Sequence, residues 1–458
     1  MSKNLETQLV IAGGGLAGFT AALSAAQAGL NVVLLEKQPE TGGSSAMSGG
    51  CLAFAGTDIQ QKEGVEDSPE LLFKDLREVG QFENDEALVK AYVNEQLATY
   101  YWLRDNGAVF SPMLEAASGQ SVPRAHTVDP ADTVRQLAAR AKATGKVQVL
   151  LSTRATALVR DPVSRRVTGI TAEGPDGEIT VSATHGVLLA SGGFCRNKEL
   201  VHRFVPQYDE AIFIGGDGNE GDGLRMAWAL GADFRDVAYI KGTYGKHPTD
   251  ETNHHSCMAV YKGAIAVNQN GKRYVNESIS YKLLGDACMV QPYSTTYQIL
   301  DQDIMKSGDN RIRIMDFERR LEEGLFIQAD TLEALAAQLE IDPAALVETV
   351  ARYNSFVEAG HDEDFGREHL VHHHGALRRI ERAPFYAYPS TAVVFGTYCG
   401  VCVNTQMQVL DVFGNVIEGL LAAGEMVGGL HGAAYMTGSA LGKAAIFGRI
   451  AARTATAG

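Results

Sequence analysis

An apolar strand, a glycine turn, a helix, a second strand and a terminal acid fill the first 36 residues. A glycine- and alanine-rich style returns near the C-terminus, and a stretch of different character lies between. These observations predict an α/β protein: a Rossmann-like cofactor-binding domain built from both chain ends, 1–236 and 391–458. The α+β segment at 237–390 is predicted to be an inserted substrate or cap domain.

The first strand is "QLVIA", and the glycines after it, Gly13, Gly15 and Gly18, satisfy G-x-G-x-x-G. The helix from Leu16 and Ala17 ends at Gly29, and "NVVLLE" is the next buried strand, closed by Glu36. In this order the glycines let the backbone reach a pyrophosphate at the helix N-terminus, and Glu36 can accept from ribose hydroxyls. A second glycine loop, "TGGSSAMSGG", follows at once and suggests a longer cofactor than a nicotinamide site requires. Residues 66–106 read mostly as helix, and "ADTVRQLAARAKATG" as an amphipathic helix. "VQVLLSTRATALVRD" through "GEITVSAT" reads as an antiparallel strand group with a "PDG" turn. Beyond residue 237 the rhythm loosens, until Asp342 caps a helix that begins at Pro343.

The net charge of −15 argues against nucleic acid or an anionic membrane as partner. No apolar run approaches the roughly 20 residues that span a bilayer, and no signal peptide is visible, so a cytoplasmic protein is expected. The six cysteines suit a reducing compartment. The CxxC pair Cys399 and Cys402 lies in an apolar, strand-like run and reads as packing. The histidines of "VHHHG" read as solvated surface, and no metal site is expected.

Seven segments in order, "GGGLAGFTAA…EK", "GGSSAMSGG", "LLASGGF", "GDGLRMAWALGA", "GKRYVNES", "GLLAAGEMVGGLHG" and "GSALGKAAIFGRIA", span essentially the whole chain. They resemble the flavoprotein family of fumarate reductase, succinate dehydrogenase and 3-ketosteroid Δ1-dehydrogenase. The resemblance implies a glutathione-reductase-like FAD domain. Gly13, Gly15, Leu16, Ala17, Gly18, Glu36 and Lys37 would serve the adenosine diphosphate half. Gly43, Ser44, Ser45, Met47, Gly49 and Gly50 would lie along the flavin, and Ala155 near the adenine. Ser191, Gly192, Asp222, Gly424 and Glu425 fall in further matched cofactor segments, with Glu425 on the ribityl–ribose side. Ser439, Ala440 and Leu441 would present a helix N-terminus to the flavin pyrimidine, where reduction develops negative charge. Family members that hold FAD covalently use a histidine in the second glycine loop. Residues 42–50 contain none, so non-covalent FAD is expected.

The fumarate and succinate enzymes grip two carboxylates and deliver a proton through arginine. Here the proton-donating arginine falls on Tyr281, and the relay behind it on Cys257 and Val260. A clamping arginine falls on Tyr435, and a substrate histidine on Phe395 or Gly396. Burying two carboxylates without cationic partners costs several kcal/mol each. The pattern "NESISY" with "HGAAYMTGS" instead resembles the ketosteroid dehydrogenases. It implies Tyr281 as base and the Tyr435 hydroxyl, with a backbone N–H near Gly438, as donors to a ketone oxygen that takes on enolate charge. A phenol is a poor base unless its anion is stabilised, and Tyr100 or Tyr101 is the candidate neighbour. His431 reads as structural or flavin-contacting.

The expected activity is FAD-dependent dehydrogenation α,β to the carbonyl of a cyclic ketone, a 3-ketosteroid or a smaller substituted cyclohexanone, with an unspecified electron acceptor. The same machinery run backwards would be an ene-reductase. A non-catalytic flavin electron-transfer subunit is the third reading.

Overall fold

A computed structural model describes residues 3–114, 116–209, 211–249, 255–310, 312–371 and 373–457; His254 and His372 lie outside them. The main sheet is parallel in the order Val416–Ala422, Gly177–Leu189, Lys3–Ala12, Val32–Leu35, Val147–Leu150. Leu9, Val10 and Ile11 of the central strand are fully buried, as expected when both faces of a parallel sheet are covered. The segment Val147–Leu150, expected in the antiparallel group, pairs in parallel with Val32–Leu35 instead. An apolar run of four residues carries no signal of strand direction. The antiparallel group is Arg154–Arg160, Val167–Gly174 and the first half of Gly177–Leu189.

The alanine-rich composition of two helices has a packing cause. Leu16–Gln27 lies against the C-terminal helix Ser439–Ala457, so closely that a Cβ on Gly448 would sit 2.6 Å from the Ala17 carbonyl oxygen. Small residues let the two backbones approach, and this contact joins the two chain ends in one hydrophobic core.

A second core gathers residues between Tyr244 and Tyr388 around an antiparallel sheet. Its strands run in the order Ile240–Lys246, Phe385–Thr397, Thr296–Leu300, Ile265–Val267. Asp342 caps the helix Pro343–Ala359 by accepting from the Ala344 N–H at 2.9 Å. The segment before Tyr281 is held by buried ions. Arg273 donates to Glu277 at 2.9 and 2.7 Å and to Asp362 at 3.1 and 2.8 Å. Removing one partner of such a buried pair costs about 3–5 kcal/mol. Strand Phe385–Thr397 leaves this core at its C-terminal end, where Thr397 pairs with Ile240, and so delivers the next residue, Tyr398, to the junction of the two cores. Among the described residues no helix is long and apolar enough to cross a membrane.

Candidate active site

The first glycine turn is sterically determined. A Cβ on Gly13 would lie 2.3 Å from the Ala190 carbonyl oxygen, and one on Gly18 would lie 2.0 Å from that of Gly13. Helix Leu16–Gln27 has no side-chain cap at Gly15, and Phe19 donates back to Gly15 O at 3.1 Å. The amides before it are therefore outside the helical ladder; that of Leu16 is taken by Ser45 Oγ at 3.2 Å. Glu36 is fixed by backbone donors, Gly14 N–H at 2.7 Å and Gln38 N–H at 2.8 Å. Glu425 is fixed by one backbone and one side-chain donor, Thr397 N–H at 2.8 Å and Asn219 Nδ2 at 2.9 Å. Glu425 Oε1 also accepts from Thr397 Oγ1 at 3.4 Å, and the Glu36 oxygens and Glu425 Oε2 each keep a further lone pair for a hydroxyl.

The remaining cofactor candidates fall around this frame. Lys37 pairs with Glu220 at 2.6 Å and Asp222 at 2.8 Å, and Arg154, next to Ala155, pairs with Asp222 at 2.6 Å. Ser44 Oγ accepts from Gly216 N–H at 3.0 Å, which ties the helix Gly43–Ala46 to the loop before Asp222. A Cβ on Gly50 would strike Val128 O at 2.0 Å, whereas Gly49 has open space and Met47 is exposed. Ser191 Oγ contacts Met426 Sδ at 3.3 Å. A Cβ on Gly192 would sit 2.8 Å from Asn219 Nδ2, and one on Gly424 would sit 2.9 Å from Ala17 Cβ. Ser439 donates to Met436 O at 2.7 Å at the start of the helix that continues through Ala440 and Leu441. This set fits an FAD: a glycine cradle that Cβ atoms would fill, uncapped helical amides and two pre-set carboxylates.

The phenols predicted from separate segments meet. The Tyr281 and Tyr435 rings lie 5.6 Å apart at 49°. Tyr281 is the first residue of helix Tyr281–Met289, whose cap Ser280 donates to Tyr435 O at 3.1 Å. The loop bearing Tyr435 is pinned from the other side, Thr437 N–H donating to Ser118 O at 2.9 Å and Gln120 Nε2 to Thr437 O at 2.9 Å. Gly438 has φ +90° with a would-be Cβ 2.6 Å from Ala53 N, so only glycine fits. Its N–H donates to Tyr435 Oη at 3.1 Å. The amide expected to join Tyr435 at a ketone oxygen thus meets the phenol oxygen itself, and the Tyr435 O–H proton is left to donate. Burial and the neighbouring Tyr435 push the Tyr281 phenol well above its ordinary value, with a Thr437 hydrogen bond opposing them.

Tyr100 does not take part. It donates to Asp58 at 2.7 Å and packs on Phe54, Tyr101 and His126, so the expected neighbour of Tyr281 is corrected to Tyr435, Tyr398 and Tyr261. Tyr398 was missed because "GTYCG" reads simply as strand. Its ring stacks 6.4 Å from Tyr435 at 21°, it is 1% exposed, and its hydroxyl has no partner among the described residues. His431 lies 5.0 Å from Tyr398 and 5.5 Å from Tyr435, and burial holds it neutral, well below the usual imidazole value. Lys241 was also missed; its Nζ stands 4.6 Å from the Tyr435 ring centroid.

Where a relay was expected to be lost, Cys257 is fully buried, its thiol pushed up to about 12 by burial, and Val260 N–H bonds Gln298 at 3.0 Å. Phe395 is a strand residue. Gly396 makes room for Glu425, whose Oε1 would lie 2.6 Å from a Cβ there. Cys399 and Cys402 are free thiols, and His373 lies 3.4 Å from Glu78. Among the described residues no group of three or more His, Cys, Asp or Glu side chains is placed to hold a metal.

The glycine cradle, with the phenol cluster tied through Gly438 to the start of the last helix, suits a flavin-binding oxidoreductase. Residues 8–441 match the FAD binding domain family model. The chain is 34% identical to a fumarate reductase (cytochrome) of Shewanella frigidimarina over 98% of its length and 76% of the relative's. It is 27% identical to the 4-oxocyclohexanecarboxylate 2-dehydrogenase of Sinomonas cyclohexanicum over 91% of its length and 87% of the relative's. A 3-ketosteroid-Δ4-(5α)-dehydrogenase structure from Rhodococcus jostii superposes with TM-score 0.82 at 24% identity, covering 100% and 98% of the two chains, a likeness of fold. The chain belongs to the FAD-binding family of fumarate reductase and succinate dehydrogenase flavoproteins, and it is an FAD-dependent oxidoreductase.

Proposed function

We propose that the protein dehydrogenates a cyclic ketone at the bond α,β to its carbonyl. The observation that carries this reading is the pairing of Tyr281 with Tyr435, 5.6 Å apart, at the two positions where the resemblance to the fumarate enzymes calls for arginine. The glycine turns, Glu36 and Glu425 would hold FAD non-covalently, and the flavin, when bound, would supply a hydride acceptor for the β-carbon. The Tyr435 O–H donates to the ketone oxygen, strengthening as that oxygen becomes enolate-like. Tyr281 removes the α-proton and must first have released its own; burial holds that release above the ordinary phenol value, so the step grows faster as pH rises. Residues 237–390 act as the cap over this pocket, a role supported by their separate core. The named substrate of the Sinomonas relative favours a small ring over a steroid.

One observation favours a second reading, saturation of an enone: a phenol held above its ordinary value keeps its proton, so Tyr281 rests in the protonation state that a donor needs. The test is product analysis. Turnover of substituted cyclohexanones with an artificial acceptor should yield the conjugated enone. Enone consumption with a reduced dye, and no enone formation, would leave only the second reading.

A further inference from the structure

Lys241 changes the account of what the pocket can bind. From the sequence, the family's cationic clamps are replaced by phenols, a thiol and apolar groups, which leaves no positive charge to meet an anion. The fold nevertheless brings one ammonium to the site from the strand Ile240–Lys246, with Nζ 4.6 Å from the Tyr435 centroid. Other sheltered lysines are engaged: Lys37 with Glu220 and Asp222, Lys282 with Asp286, and Lys443 with the Val427 carbonyl at 2.9 Å. Among the described residues no carboxylate lies within ion-pair distance of Lys241, and it keeps partial exposure. The rings around Tyr435 are otherwise phenols and the imidazole of His431; the next charges are Lys443, spent on the Val427 carbonyl, and Asp236 and Asp286, which act on Tyr398.

We propose that Lys241 binds a single carboxylate carried on the ring of the ketone substrate. An ammonium held against neutral rings gains an opposite charge at little reorganisation cost, and one cation balances one carboxylate. This separates the site from one built for a dicarboxylate and from one built for a neutral steroid. The inference deepens the proposed function and rests on the Tyr281–Tyr435 pocket being the substrate site. Lys241 is a specificity-determining residue here, and no bond is made or broken at its nitrogen.

The test uses the FAD-loaded protein and a ligand pair that cannot reduce flavin: 4-hydroxybenzoate and its methyl ester. Binding is read as a perturbation of the oxidised-flavin absorbance. The wild type should bind the carboxylate at least about tenfold more tightly than the ester, about 1.4 kcal/mol. Lys241→Met should abolish that preference, and Lys241→Arg should keep it. Equal affinities in the wild type, no perturbation by either ligand, or an unchanged preference in Lys241→Met would overturn the proposal. So would a shift of the flavin midpoint potential in Lys241→Met with ligand discrimination intact, because the ammonium would then serve the flavin. Anaerobic bleaching by cyclohexanone-4-carboxylate is measured in parallel. A carboxylate preference that depends on Lys241, without bleaching, would sustain Lys241 as the carboxylate's partner and sink the ketone reading.

Discussion

The turn at residues 13–18 and the phenol pocket are both made of close contacts, yet they differ in how the chain assembles them. In the turn, Gly13, Gly18 and Glu36 lie within two dozen residues, and each is fixed by backbone. In the pocket, Lys241, Tyr281, Tyr398 and Tyr435 come from four segments and meet only because the strand Phe385–Thr397 and the last loop converge. A local site tolerates almost no change in shape, whereas an assembled one can exchange side chains while its frame stays put. That is how one fold can exchange guanidinium for phenol.

The strongest way to break this contrast is in the turn. Gly18→Ala places a methyl 2.0 Å from the Gly13 carbonyl oxygen, against backbone that cannot yield. It should purify without flavin or fail to fold, as seen from the flavin-to-protein absorbance ratio. In the pocket the frame should survive. Tyr281→Phe should keep its flavin and lose about 10²–10⁴ in the rate of flavin reduction by ketone. Tyr435→Phe should lose about 10²–10³ in the same rate, as for removal of one oxyanion donor. Both are read by stopped-flow absorbance.

A pH series sharpens the comparison further. While Tyr281 is protonated, ketone-driven flavin reduction should rise about tenfold per pH unit. A flat profile would remove Tyr281 as base. Stability should move differently. Burial pushes His126 down to about 4, and it is held by Thr57 Oγ1 at 2.7 Å and the Arg124 carbonyl at 2.8 Å. The unfolded imidazole titrates near about 6.5. Between those values the unfolded chain binds more protons, so this contribution is complete above pH 6.5 and lost as pH falls toward 4. About 3 kcal/mol is at stake. His126→Gln should show a shallower acid decline in denaturant melts.

The smallest effect has the opposite sign. Tyr398 carries a buried hydroxyl without a partner among the described residues, and leaving such a group unsatisfied costs about 1–3 kcal/mol. Tyr398→Phe should therefore stabilise the ligand-free protein by about that amount. Destabilisation would mean the hydroxyl is satisfied in solution.

The contrast also explains what was legible in the sequence. The strand–turn–helix with Glu36, the second glycine loop and the Asp342–Pro343 cap depend on neighbours in sequence and could be read directly. Tyr281 and Tyr435 were found through motif position, and their facing geometry follows from that frame. The parallel pairing of Val147–Leu150 could not be read, because strand direction is decided by a crossover and not by four apolar residues. Tyr398 and Lys241 were invisible for a related reason: each sits in an ordinary strand pattern, and only tertiary contact brings it to Tyr435. Gly438 was placed at the site, but its amide points at the phenol oxygen, a detail set by φ +90°.

The central claim is that the two phenols handle an uncharged carbonyl. The most direct measurement is anaerobic titration of the yellow protein with a substituted cyclohexanone and, separately, with succinate, following the oxidised-flavin absorbance in wild type and Tyr281→Phe. The account predicts bleaching by the ketone alone, slowed at least a hundredfold in Tyr281→Phe. Bleaching by succinate, or by the ketone equally fast in the variant, would contradict it.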